Sequence, residues 1–229
     1  MEEVQAMKIN LSFLLLLFTP VLFAQTQDVQ LWNAIELKQD LPKKFDLSIQ
    51  YQSRIDKDIS RFRGSYISTT VGYKLNKHWS AEAGIRYSTS NRWDRIRYSV
   101  GIGGQWKWKG WELSSKFKYQ YQFYLASMPE YGINPPVQNF RLKLGAEHKL
   151  VKKLKVFVSS EPMFRYKSSE FYFRRVRNTA GLRWSPSKKL GIEASYVWQP
   201  QWNAAATIQV MQLNVSYSLP KHWKKKKTE

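Results

Sequence analysis

The sequence predicts an all-β fold: a transmembrane antiparallel up-and-down β-barrel of about 10–12 strands, with short periplasmic turns and longer extracellular loops. Three observations predict it. Apolar and polar residues alternate with a period of two over runs of about 11 to 14 residues, roughly twice the usual soluble strand and enough for a tilted strand to cross a bilayer. The apolar faces carry aromatics at both ends, as anchoring at two membrane interfaces requires. A short turn motif, an apolar residue, polar residues, then an aromatic or Leu, returns roughly every 35 residues and marks repeated strand pairs.

The first element is an export signal. In a chain of 229 residues with 43% hydrophobic and 15% aromatic content, the long apolar run is LSFLLLLFTPVLFA at 11–24, preceded by Lys8 and followed by QTQD. It is too short to span a bilayer as a helix and ends with Ala24 at the small-residue position before a cut. Residues 1–24 are therefore expected to be a signal peptide, and 25–229 a single barrel domain with a short basic tail. The absence of cysteine excludes a disulfide framework, a thiolate metal site and a lipidated cysteine. A net charge of +20 would suggest nucleic acid in another setting. Export argues against that, and outer-membrane lipid and lipopolysaccharide are the expected anionic partners.

The strands follow in order. Asp28 to Lys38 reads as a strand that is not certain to be a full crossing, and LPKKF at 41–45 turns the chain. Phe45, Leu47, Ile49, Tyr51 and Ile55 then face lipid, opposite Asp46, Ser48, Gln50, Gln52 and Arg54. After the turn LNKHW at 75–79, Trp79, Ala81, Ala83, Ile85 and Tyr87 oppose Ser80, Glu82, Arg86 and Ser88. Ile96, Tyr98, Val100, Ile102 and Trp106 oppose Arg95, Arg97, Ser99, Gln105 and Lys107. Beyond WKGW at 108–111, Leu113, Phe117, Tyr119, Tyr121 and Phe123 oppose Glu112, Lys116, Lys118, Gln120 and Gln122. Phe140, Leu142, Leu144 and Ala146 oppose Arg141, Lys143 and Glu147, and LVKKL at 150–154 is the next turn. Alternation fails between Ser160 and Phe173, where Pro162 sits. After PSKKL at 186–190 it resumes with Ile192, Ala194, Tyr196 and Trp198, and the last strand shows Met211, Leu213, Val215 and Tyr217 before LPKHW. The longer loops are expected at 56–64, 91–94, 125–138, 167–172 and 200–206. About eleven strands can be counted, whereas a chain with both ends in the periplasm needs an even number, so ten or twelve are expected.

LWNAIELKQDLPKKFDLSIQYQSRI, with its Trp32 and its strand ending in Arg54, and the Arg-bearing strand starts RWDRIRYSVGI and NFRLKLGAEH resemble an uncharacterised family of bacterial outer-membrane barrel proteins catalogued as a domain of unknown function. The resemblance spans most of 27–219. It implies the fold and the outer membrane of a Gram-negative bacterium, and it carries no catalytic residues with it.

No enzyme is expected. The three histidines, His78, His148 and His222, lie in or next to turn motifs, away from the outer leaflet where a lipase- or deacylase-type barrel enzyme, the alternative reading, would pair His with Ser. They are too scattered for a metal site, and no cofactor is expected. The glycines of GIGGQ at 101–105 mark a twist or a bulge and not a phosphate cradle. The inward faces should carry Arg54, Arg86, Arg97, Lys118, Arg141, Lys143 and Arg183 with Glu82, Glu112, Glu147 and Glu193. Two readings of them stay open: ion pairs that fill the lumen of a structural envelope protein, or a narrow porin-like passage that prefers anions. Arg61, Arg63, Arg92, Arg95, Arg174 and Arg175, at the loop edges, are expected to contact lipopolysaccharide phosphates.

Overall fold

The computed structural model describes residues 26–90, 93–127, 136–201 and 206–220. Eleven strands close into one barrel. They are β1 (Thr26–Asp40), β2 (Phe45–Asp56), β3 (Arg61–Lys74), β4 (Trp79–Ser90), β5 (Trp93–Trp108), β6 (Trp111–Ser127), β7 (Val137–Val151), β8 (Leu154–Lys167), β9 (Glu170–Trp184), β10 (Leu190–Gln201) and β11 (Ala206–Ser218). Every sequential pair is antiparallel. Because the count is odd, the first and last strands run the same way, and the barrel closes through a parallel seam from Thr26↔Ala206 to Lys38↔Ser218. The expected even count is thus corrected: residues 28–38 do form a full strand, and residues 26 and 218 stand at opposite ends of the barrel.

The recurring motif makes one end of the barrel, by different local chemistry in different copies. In LPKKF, Lys43 and Lys44 take φ of 56° and 69°, and the Phe45 amide donates to the Pro42 carbonyl. In LNKHW the Asn76 side-chain oxygen accepts from the amides of His78 (2.8 Å) and Trp79 (2.9 Å), and in PSKKL the Ser187 hydroxyl accepts from those of Lys189 and Leu190. At the opposite, loop end the two fully described connections are shorter than expected. Residues 57–60 alone connect β2 to β3, and Ser168 and Ser169, both at positive φ, connect β8 to β9. Polar residues that read as loop extend the strands, because at this end they face the lumen.

The outward face is apolar and exposed, with Val100 and Leu144 near mid-strand and more than half open. Aromatics bracket it. At the turn end Phe45 packs on Tyr73, Trp79 meets Trp106 edge-on at 5.4 Å, and Trp111 packs on His148 at 4.7 Å. His148 therefore belongs to the aromatic girdle and not to open water. At the loop end the hydroxyls of Tyr87, Tyr119 and Tyr196 donate to Asp94, Gln138 and Gln209.

β8 runs straight through Pro162. That residue faces outward opposite Val176, and the β7 ladder skips from Arg141↔Met163 to Leu144↔Ser160 where its missing amide would donate. Alternation looked broken there because Phe157 and Met163 point inward and are buried, while Ser160 faces out.

Candidate functional site

The lumen divides along its axis into two electrostatic zones. The turn-side zone is paired. Glu82 on β4 takes Lys116 at 2.7 Å and Lys118 at 2.5 Å, both from β6. Those lysines cross β5 over Gly101 and Gly103, which face the lumen opposite Lys118 and Lys116. A Cβ at Gly101 would lie 2.9 Å from the Phe117 carbonyl and 3.4 Å from the Glu82 chain. The glycines are therefore gaps that let ion pairs span a strand; the register shows no bulge there. Further round the wall, Glu147 binds Lys155 and Arg183, Arg183 binds Glu193 at 2.8 Å, and Lys155 reaches Glu112 at 3.7 Å. Midway along the axis Glu161 clamps Arg141 (2.6 and 3.0 Å) and Arg177 (3.4 Å).

The loop-side zone is unlike this. Among the described residues, a cavity of about 490 Å³ is lined by ten arginines, Arg54, Arg61, Arg63, Arg86, Arg95, Arg97, Arg165, Arg174, Arg175 and Arg177, and by one carboxylate, Asp56. A second cavity of about 200 Å³ lies against the same Trp32, Arg54, Tyr66, Arg86, Arg97, Arg174, Arg175 and Arg177 and reaches Arg141. Asp56 is committed to Arg61 at 2.9 Å and Arg63 at 3.9 Å.

Neutral amides position four of the other eight. Arg54 donates to Gln52 at 3.0 Å, Arg97 to Gln122 through two nitrogens, Arg165 to Asn139 at 3.2 Å and Arg177 to Gln199 at 3.1 Å. Aromatic faces hold guanidiniums as well: Arg54 lies 3.9 Å over Trp32, and Arg86 lies 3.7 Å over Tyr66. Trp32 in turn packs on Val197 and Val210 inside the lumen and donates its indole N–H to Gln30. An amide oxygen or a π-face satisfies a guanidinium's geometry without cancelling its charge, so the zone stays cationic.

All the charges expected inside do lie on inward faces. Arg54, Arg86, Arg97 and Arg141 line the cavities, Lys118, Arg183, Glu82, Glu112, Glu147 and Glu193 belong to the paired zone, and Lys143 lies between Arg141 and Gly145 on β7. Arg61, Arg63, Arg95, Arg174 and Arg175, expected at the loop edges to contact lipopolysaccharide, line the loop-side cavity, with Arg61 and Arg63 about half exposed, and Arg92 lies outside the described residues. For Arg174 the cause is a bulge. Met163 pairs with Arg175 and Phe164 with Phe173, leaving Arg174 as the extra residue, so two consecutive arginines turn inward. Sequence reading missed Arg165, Trp32 and Tyr66 as lumen residues; inward-facing aromatics break the apolar-out rule, and nothing local in the sequence marks them.

Fold and lumen together define an outer-membrane-type β-barrel whose interior is paired at one end and cationic at the other. The chain belongs to the family described as protein of unknown function (DUF2490), which matches residues 29–210. Among solved structures it is similar to the NanC porin, at 11% identity over 75% of this chain and 86% of that one with a TM-score of 0.50. It is also similar to the β domain of the Bordetella autotransporter BrkA (11% identity, 74% and 78% covered, TM-score 0.47) and to outer-membrane OmpT of Vibrio cholerae (8%, 69% and 54%, 0.41). A search of curated proteins finds no match. At these identities the likeness is one of fold.

Proposed function

We propose that the protein is a non-enzymatic integral barrel of a Gram-negative outer membrane, reached after removal of residues 1–24, and that its lumen is a narrow, anion-preferring passage. The loop end faces outward and the lysine-bearing turns face the periplasm. The observation that carries this is the loop-side cavity with, among the described residues, ten arginines against one carboxylate. Cations lining a narrow, poorly screened space attract anions and repel cations. A non-enzymatic role is supported by the two described histidines. His78 Nδ1 bonds the Gln105 carbonyl in a turn, and His148 packs on Trp111 at the girdle. Contact with lipopolysaccharide phosphates, on this proposal, falls to Arg61 and Arg63, each about half exposed at the rim.

Purified protein should fractionate with the outer membrane, begin at Gln25 and migrate differently on gels when heated. In planar bilayers it should show small, anion-selective conductance, and Arg97→Gln should move the reversal potential toward cations. A silent wild type whose Lys118→Gln variant conducts would replace this reading with a structural barrel closed by its turn-side ion pairs.

A further inference from the structure

We infer that the loop-side half of the lumen is a binding site for a compact multivalent phosphate, of the pyrophosphate or tripolyphosphate kind. The inference rests on the proposed anion path but goes beyond passage to retention.

Four features of the cavity converge on this class. Its guanidiniums are already oriented, yet by partners that leave their charge intact: Arg97 by Gln122 and Arg54 by Gln52 and Trp32. The Nε atoms of Arg95 and Arg175 are buried with no hydrogen-bond partner in the protein, and both residues line the cavity. A charged donor without a protein partner is costly, so a solvent or anion oxygen that these two guanidiniums can turn toward would be favoured there. One small monovalent ion would leave most of this charge uncompensated, whereas the contiguous cavities of about 490 and 200 Å³ have room for several linked oxyanions.

Geometry favours phosphate over carboxylate. The forks arrive from β2, β4, β5 and β9, on different sides of the barrel, with Arg174 and Arg175 presented side by side by the bulge. A tetrahedral phosphate offers oxygens in all these directions; a planar carboxylate offers two in one plane. An aromatic or nucleobase ligand is disfavoured, because guanidiniums already cover faces of Trp32 and Tyr66.

The test is calorimetric titration of the detergent-solubilised full-length barrel with tripolyphosphate, orthophosphate and citrate at fixed ionic strength. Tripolyphosphate should bind saturably, about tenfold or more tighter than either competitor, with affinity falling as salt rises. The double variant R97Q/R175Q should lose about tenfold or more, while K152Q/K153Q, which removes equal charge from a turn, should bind like wild type. Citrate binding as tightly as tripolyphosphate, or equal losses in both double variants, would overturn the inference. The wild-type comparison among the three anions decides even if R97Q/R175Q fails to fold. Binding and current are independent readouts. Tripolyphosphate affinity without conductance supports the site and removes the pore, and anion-selective current without that affinity keeps the pore and removes the site.

Discussion

Replacing Glu161 with Gln should destabilise the barrel by about 2 to 4 kcal/mol. Its carboxylate is about one-tenth exposed, and its partners Arg141 and Arg177 are 16% and 20% exposed. At such depth each contact is a pair of charges worth about 4 kcal/mol of direct attraction at 4 Å and an effective dielectric near 20. Breaking a buried pair by deleting one partner typically costs about 3 to 5 kcal/mol, because the other charge is left uncompensated. Here two guanidiniums would be stranded beside Arg54, Arg86 and Arg97. The loss is moderated because Gln120 still touches Arg141 at 3.5 Å, Gln199 still accepts from Arg177, and the cavity admits water. Urea unfolding from micelles gives the difference from the midpoint shift at unchanged slope. Glu112→Gln is the matched control: its carboxylate is 32% exposed and Lys155 stands 3.7 Å away at 40% exposure, so less than about 1 kcal/mol is expected. Equal and small effects of the two substitutions would refute the division of the lumen into a clamped middle and a solvated end. Added phosphate should also raise the midpoint of E161Q, since an anion that binds only the folded state can replace the lost charge.

On the lipid side, Val100→Arg or Leu144→Arg should cost about 2 to 4 kcal/mol near the bilayer midplane, while Ser99→Ala, one residue away on the lumen face, should cost less than about 1, both read by the same unfolding curves. Gly101→Val should cost about 1 to 3 kcal/mol, because the new side chain would press on the Phe117 carbonyl and wedge between Glu82 and Lys118. A wild-type midpoint for Gly101→Val would mean that the lysines do not need that gap.

How much of this was readable beforehand differed between the two faces of the same strands. The lipid face was legible because one rule governs it everywhere: apolar outward, aromatic at both ends. Val100, Leu144, Trp79 and Trp198 all obey it. The lumen follows no such rule. Inward Phe157 and Met163 erased the alternation of β8, and the Arg174 bulge inverted the parity of the residues before it. The parallel seam was invisible for a different reason: strand count follows from where each element ends, whereas closure depends on pairing between residues about 180 positions apart. That the loop-edge arginines also line the lumen was not legible, because arginines and amides look solvent-facing in sequence, whether the water they meet lies outside the barrel or within it.

That ambiguity is also what makes the charge gradient intelligible. A lumen this narrow must neutralise, solvate or hold by hydrogen bonds every ion it contains. At the turn end the sequence supplies acids at strand positions that bases can reach, Glu82 across Gly101 and Gly103, and Glu147 beside Lys155 and Arg183. At the loop end the corresponding inward positions carry Gln52, Gln122 and Asn139, residues that accept the same hydrogen bonds as a glutamate but bring no charge. If stability alone governed the interior, glutamates at these positions would hold the arginines more firmly. Amides hold them in place with their positive charge uncancelled, which is the arrangement an incoming anion requires.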